Sequence, residues 1–202
     1  MINFNTVVET MNRVPWGDLR GVLNEPCDDI PIELTALLAQ NPQTRREAYW
    51  RIDNRLIVQR GLYQGAAFAA PFIVQLIRVC PHEIRQEIYE LLFQLANGTS
   101  AITNTILINR VVEPFPYIIP TLNGYNISLQ VSCRFEIACT LDCFLSDLAD
   151  TSSSSRWQAL DIIGCFPEFL GMMPLSNIAQ SDTDTENRNR IYLTIDRMKH
   201  PK

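Results

Sequence analysis

Three helical segments follow one another between residues 45 and 98, and this succession limits the possible folds more than any other part of the chain. In the first segment, apolar side chains recur at i, i+4 and i+8 and mark one buried helix face. That segment runs from Arg45 to about Val58, and its apolar positions are Ala48, Ile52 and Leu56. Arg45, Arg51 and Arg55 lie off this face and are expected to be exposed to solvent.

The second and third segments are more apolar than the first. Gly65 to Val79 is apolar nearly all round, which predicts a central helix covered on several sides. Pro71 either begins or kinks that helix, because proline has no backbone N–H to donate. Glu83 to Asn97 again shows apolar residues at helical spacing, and Gly98 supplies a stop. Stacked helices of this kind predict an all-α protein that presents a surface to another macromolecule.

The rest of the chain also favours helices, and no comparable strand pattern is present. Acidic residues ahead of a proline predict a helix that begins near Ile30, since they favour the positive end of the helix dipole. The predicted segments are Asn3–Met11, a helix from Ile30 to about Asn41, a long helix Ser128–Ala149, a helix capped by Ser155, and a last helix burying Ile191, Ile195 and Met198.

Residues 99–126 interrupt this pattern with prolines, asparagines and a glycine. The apolar stretch from Phe115 to Pro120 either packs against the helices or presents aromatic side chains to a partner. We therefore expect one helical domain over residues 1–202 with an irregular segment at about 99–126.

Composition excludes several classes of protein. The chain has 202 residues, of which 47% are hydrophobic and 19% charged, as in a globular domain. No apolar run is long enough to cross a membrane, and the N-terminus lacks the basic and apolar parts of a secretory signal, so we expect a cytoplasmic protein. Cys133 lies on an apolar helical stripe, and Cys80 and Cys165 end apolar runs, so the six cysteines are better interpreted as buried free thiols than as disulfides.

No motif for catalysis or for metal binding is present. The chain lacks a phosphate-binding glycine loop, a serine nucleophile elbow and a metal-binding histidine pair, and it has only two histidines. The acidic pairs Asp28–Asp29 and Asp182–Asp184 are interpreted as capping and loop residues. His82, which follows Pro81, is interpreted as a cap or surface residue. We expect a protein without catalytic residues, cofactor or metal.

Charge is unevenly distributed along the chain, whose net charge is −5. Residues 136–186 contain nine acidic residues and one basic residue, Arg156, whereas residues 45–60 contain five arginines and two acids. These stretches are either two solvated helix faces or a charge asymmetry that faces a partner. An arginine-rich face of Arg45, Arg46, Arg51 and Arg55 could grip phosphates, but the acidic total and the scarcity of lysine make a nucleic acid a less favoured partner.

Residues 15–98 resemble the HEAT-like repeat proteins common in bacterial genomes. The resemblance is carried by the Pro15-Trp16-Gly17 turn, the Pro31-led helix, Gln59 with Tyr63, the Ala66–Phe72 stretch, and the ending Leu91-Leu92-Phe93-Gln94-Leu95-Ala96-Asn97-Gly98. One departure is Gly61, which stands two residues after Gln59 where the family usually has glycine directly after. The resemblance implies an α-solenoid of stacked antiparallel helix pairs, and the matched residues are structural ones.

Members of this family are similar to immunity proteins that bind and occlude a cognate bacterial toxin. That resemblance implies a non-catalytic toxin inhibitor, with a scaffold or adaptor as the alternative. A basic or anion-binding toxin would be attracted by the acidic C-terminal half. The candidate contact residues are Asp142, Asp147, Asp150, Asp161, Asp182, Asp184 and Glu186, with Tyr117 and Tyr125 as possible aromatic anchors.

Overall fold

A computed structural model describes residues 4–101, 106–107, 126–127 and 129–201. Within these ranges the fold is mostly helical. The all-α prediction is thereby confirmed for these ranges. The α-helices are α1 (Phe4–Met11), α2 (Ile30–Ala36), α3 (Pro42–Leu56), α4 (Gln64–Val79), α5 (Gln86–Asn97), α6 (Leu129–Ala138), α7 (Leu141–Ala149), α8 (Arg156–Ile163), α9 (Leu175–Ser181) and α10 (Thr185–Lys199). Short 3₁₀ helices cover Trp16–Asp18, Val22–Asn24, His82–Ile84 and Pro167–Met172.

Five two-residue strands accompany the described helices: β1 (Ile57–Val58), β2 (Gly61–Leu62), β3 (Thr99–Ser100), β4 (Ile106–Leu107) and β5 (Asn126–Ile127). β2 pairs antiparallel with β1 and parallel with β3, while β4 and β5 pair antiparallel. The β1–β2 turn places Gln59 and Arg60 at φ values of 51° and 66°, the left-handed geometry of a two-residue hairpin. Gly61 is the first residue after this turn and begins β2.

Helix boundaries follow local chemistry. The side chain of Asn41 accepts a hydrogen bond from the backbone N–H of Gln43 at 2.8 Å, so it caps α3 ahead of Pro42. Pro71 lies inside α4 rather than at its start, and therefore cannot donate to the carbonyl of Ala67. The ideal position of a Cβ on Gly98 is 2.5 Å from the side chain of Leu62, so a larger residue where α5 meets β2 would force the buried Leu62 to shift.

The predicted long helix Ser128–Ala149 is wrong, because α6 ends at Ala138 and α7 begins at Leu141. At the break, the backbone N–H of Thr140 donates to the carbonyl of Ile137 in a tight turn. The Thr140 hydroxyl also donates to the carbonyl of Glu136 at 3.3 Å. Threonine competes for backbone groups in this way, and the break needs neither glycine nor proline.

Consecutive helices pack in pairs, and further contacts join the pairs. The consecutive pairs are α2 with α3, α4 with α5, α7 with α8, and α9 with α10. In addition, α4 packs on α2 and α6, and α5 packs on α3 and α8. Fully buried aromatic side chains fill the space between them, with Phe72, Tyr89, Phe144 and Phe166 the largest. Packing of this kind between helices supplies most of the stability of so helical a chain.

The six cysteines are free thiols, and Cys27, Cys80 and Cys133 are buried. No helix in the described ranges is long and apolar enough to span a membrane. The irregular segment predicted at about 99–126 falls largely outside the described residues, as do Tyr117 and Tyr125.

Candidate binding groove

Asp147 is buried at the centre of a hydrogen-bonded cluster that sequence analysis missed. Its side chain accepts two bonds of 2.6 Å from Arg85 and one of 2.6 Å from the hydroxyl of Tyr89. The Nδ1 atom of His82 lies 3.3 Å away. Burial is the main cause that raises the pKa of Tyr89, and the hydrogen bond to Asp147 raises it further. The expectation that Asp147 is exposed is therefore wrong, because its carboxylate joins α7 to the start of α5.

Asp182 is also buried, contrary to the prediction of an exposed contact. Its carboxylate pairs with Arg156, whose Nε donates to the carbonyl of Leu148 at 2.6 Å. Asp184, two residues later, caps α10 by accepting bonds of 2.7 Å and 3.3 Å from two backbone N–H groups. The interpretation of this acidic pair as capping and loop residues is confirmed for Asp184, whereas Asp182 joins a buried ion pair. Asp182 is thus part of the interior.

The remaining predicted acids fall in separate places. Asp142 pairs with Arg78 at 3.3 Å, Asp150 forms a turn by accepting from the N–H of Ser152 at 2.9 Å, and Asp161 lies 3.7 Å from Arg190. Glu186 is exposed in the first turn of α10. The seven acids therefore do not share one set of contacts, because local caps and ion pairs hold most of them.

The arginine face of α3 is matched by carboxylates. Arg45 is buried, which corrects the expectation of an exposed side chain; it lies 3.3 Å from Glu87 and donates to two backbone carbonyls. The other pairs are Arg46 with Glu90, Arg51 with Glu33 at 2.8 Å, and Arg55 with Glu25 and Asp29. Phosphate binding needs positive charge that is not already paired with carboxylates, and these ion pairs neutralise the arginines of α3.

A groove runs across four helices, and we call it the α3–α10 groove. Its first part is a cavity of about 190 Å³ between α3, α5 and α8. Its second part is a cavity of about 410 Å³ between α5, α8 and α10. Phe93 and Asp161 line both cavities, so the two parts lie next to each other. Other lining residues are Tyr49, Glu90, Gln94, Asn97, Gln158, Gly164, Thr194 and Arg197.

Phe93 lines the groove, and Trp50 contacts Tyr49, another lining residue, from the next position on α3. Phe93 is 36% exposed and Trp50 is 46% exposed. The rings of Trp50 and Tyr49 meet edge to face with centroids 5.0 Å apart, and the guanidinium of Arg46 lies over both rings. Arg46 also pairs with Glu90 inside the groove. Half-exposed aromatic residues fixed by a neighbouring charge are typical anchors of protein interfaces.

Gln158 gives the groove an unsatisfied acceptor. Its Oε1 atom is buried and has no hydrogen-bond partner among the described residues, although the side chain lines the first cavity. A buried amide oxygen without a donor costs about 1–3 kcal/mol. A donor from a bound partner would remove that cost once the Gln158 side chain turns its oxygen toward the cavity. Of the predicted acids, only Asp161 lies in this groove.

Sequence reasoning missed the groove because its residues belong to four separate helices. Phe93 falls within the matched ending of α5 and was interpreted as structural. The signal that could have identified it is its position, since Phe93 lies off the stripe formed by Ile88, Leu92 and Leu95.

Within the described ranges, no group of three or more His, Cys, Asp or Glu side chains is arranged to hold a metal ion. Comparison of the chain with protein-family models, with curated proteins and with solved structures gives no significant match.

Proposed function

We propose that this chain is a non-catalytic protein-binding module that receives a partner protein in the α3–α10 groove. The partner it fits best is a bacterial toxin that is occluded on binding, the role implied by the resemblance of residues 15–98 to HEAT-like immunity proteins. A scaffold or adaptor role would use the same groove with a different partner.

The observation that carries the proposal is the combination, in one groove, of the exposed ring of Phe93 and an unpaired acceptor, with the exposed ring of Trp50 packed on the lining residue Tyr49. Trp50 and Phe93 offer apolar surface, and Gln158 offers an oxygen that requires a donor. A partner that contributes an apolar side chain and an N–H or O–H group would satisfy both. Such anchors placed in a concavity are where binding energy concentrates in protein complexes.

Charge adds a preference for a basic partner. The net charge of −5 attracts cationic proteins over distances of about 10 Å at ordinary salt. Within the groove, Glu90 and Asp161 are paired with Arg46 and Arg190, so the attraction comes from the whole chain. We therefore expect charge to speed association and the groove to determine affinity.

The helix contacts support a solenoid-like arrangement in which two rows of helices run side by side. One row would hold α2, α4 and α6, and the other α3, α5 and α8, since neighbours within each row pack together. The groove would then follow the second row and continue to α10. Repeat proteins commonly bind partners along such a row.

Co-expression with the protein encoded beside this chain tests the proposal. We expect the two proteins to co-purify and the chain to restore growth of cells that express the neighbouring toxin. Phe93→Arg should abolish both effects, because it puts a charge and extra volume in the middle of the groove. Ile32→Arg, on α2 and 71% exposed, is the matched control and should leave both unchanged.

Two results would contradict the proposal. One is the absence of binding to either of the proteins encoded immediately beside this chain. The other is equal protection by wild type and Phe93→Arg at equal expression, which would locate the interface outside the α3–α10 groove.

A further inference from the structure

Glu136 is a buried carboxyl group that lines a cavity, and we call this cavity the Glu136 cavity. The residue lies on α6, is 5% exposed, and shares the cavity with side chains of α4. The cavity has a volume of about 180 Å³. The other lining residues are Pro71, Val74, Gln75, Arg78, Cys139 and Thr140. The volume is several times the ~30 Å³ that one water molecule occupies in the liquid.

Hydrogen-bond donors are scarce around this carboxyl group. No described side chain donates a hydrogen bond to it or forms an ion pair with it, unlike the carboxylates of Asp147 and Asp182. The hydroxyl of Thr140 donates to the backbone carbonyl of Glu136 at 3.3 Å. The Glu136 carboxyl group therefore lines this cavity without a described side-chain donor.

Charged neighbours do not compensate Glu136. Arg78 lies at the mouth of the cavity, where it bonds to Asp142 at 3.3 Å and to the carbonyl of Cys139 at 3.5 Å. The ionisable side chains packed here are Arg78 on α4, Cys133 and Arg134 on α6, Cys139 directly after α6, and Glu87, Tyr89 and Glu90 on α5. Burial alone raises the pKa of Glu136 to about 8.

We propose that the Glu136 cavity is a binding site for an organic cation, an ammonium or guanidinium group, with Glu136 as its counter-ion. A cation with several N–H groups supplies both the positive charge and the donors that this carboxyl group lacks. The group enters from the side of Arg78, and its N–H groups bond to the carboxylate of Glu136 and the amide oxygen of Gln75. This site is lined by different helices from the α3–α10 groove and does not depend on it.

Binding is coupled to loss of the Glu136 proton. Below pH 8 the carboxyl group is protonated in the free protein, so a cation must displace that proton to form the ion pair. The apparent affinity therefore rises about tenfold per pH unit below pH 8 and levels off above it. Cys133 and Cys139 remain neutral through this range because burial raises their pKa values.

Carbon-13 NMR of glutamate side chains tests the site directly. Titration with n-propylguanidinium or n-propylammonium chloride at constant ionic strength should give saturable binding and shift the Glu136 carboxyl resonance. We expect the Kd to fall about tenfold from pH 6.5 to pH 7.5. Glu136→Gln should fold and lose this binding, because the amide mimics the protonated acid but cannot become an anion. Glu186→Gln, an exposed glutamate on α10, is the matched control.

The peptide Gly-Gly-Arg-Gly-Gly distinguishes the source of the cation. If the peptide also binds, a basic side chain of another protein reaches the cavity; if only the free probes bind, the site takes a small molecule. Both results support the cation site. An absence of saturable binding by both probes at pH 8.5 would overturn it, and so would equal affinity in wild type and Glu136→Gln. Neither result bears on the α3–α10 groove.

Discussion

Asp147 and Glu136 are both buried carboxyl groups, but the first is surrounded by hydrogen-bond donors and the second is not. Asp147 accepts bonds from Arg85 and Tyr89, with His82 beside it. Glu136 lies on the preceding helix at similar burial, and no described donor holds its carboxyl group. Burying a carboxyl group is expensive unless it is paired, so the two regions differ in what they contribute. The first stabilises the fold, and the second costs stability.

This difference gives a rule for separating structural from binding groups in the molecule. Asp182 and Glu87 are structural groups like Asp147, since each is buried and paired with an arginine. Gln158 belongs with Glu136, since its buried oxygen has no described partner. The side chains of Gln158 and Glu136 each line a cavity. We infer that the unpaired groups are retained for recognition.

Asp147→Asn should give the largest effect. It removes the charge that neutralises Arg85 and leaves that guanidinium partly buried without a counter-ion. The free energy of unfolding should fall by about 3 kcal/mol, as expected for one partner of a buried pair. Urea denaturation followed by circular dichroism measures this change. A loss below 1 kcal/mol would mean that the cluster is not the joint between α5 and α7.

Tyr89→Phe should give the next largest effect. It deletes one hydroxyl, whose bond to Asp147 is 2.6 Å, and preserves the packing of the ring against Phe144. A hydrogen bond to a charged group contributes about 1.5–3 kcal/mol, so the loss should be about 2 kcal/mol. The same denaturation experiment applies. An additive effect in the double variant with Asp147→Asn would contradict direct coupling of the two groups.

Glu136→Gln should raise the free energy of unfolding, and the size of this gain should depend on pH. The folded-state pKa of Glu136, about 8, lies above the usual 4.5, so the wild type loses stability as pH rises between these values. The variant does not titrate there. Its stability relative to wild type should therefore rise by about 1 kcal/mol per pH unit from pH 6 to pH 7. Unfolding free energies at several pH values measure the slope, and a flat difference would contradict the assignment.

Trp50→Ala with Phe93→Ala should have the smallest effect on stability. Both side chains are only partly buried, so the free energy of unfolding should fall by about 1 kcal/mol, roughly the value of the aromatic contact that is lost. Partner binding measured by calorimetry should nevertheless weaken at least tenfold, because aromatic anchors dominate interfaces. A large loss of stability would show that these rings belong to the core.

The helices of residues 45–98 could be predicted because their apolar spacing is strong and glycine and proline mark their ends. Ala48, Ile52 and Leu56 are all buried as expected. The break at Thr140 could not be predicted, since a hydroxyl bonding to a backbone carbonyl leaves the apolar spacing unchanged. Local patterns report local structure, and they fail where one side chain competes for the backbone.

The exposure of charged residues was predicted less well than the helices. Arg45, Asp147 and Asp182 were expected at the surface, yet each meets an oppositely charged side chain from another helix. Partners separated by 26 to 62 positions are invisible to helical periodicity. The α3–α10 groove could not be predicted for the same reason, because its residues come together only when the helices pack.

Replacement of Gln158 by methionine tests the central claim most directly, since it keeps the length of the side chain and removes the unpaired oxygen. Gln158→Met should leave the free protein as stable as wild type, or up to about 1 kcal/mol more stable. Its affinity for the protein encoded beside this chain should fall about tenfold. Unfolding and calorimetric titration of the same sample give both numbers. A variant that is clearly less stable and binds as tightly as wild type would show that Gln158 serves the fold, and the claim would be contradicted.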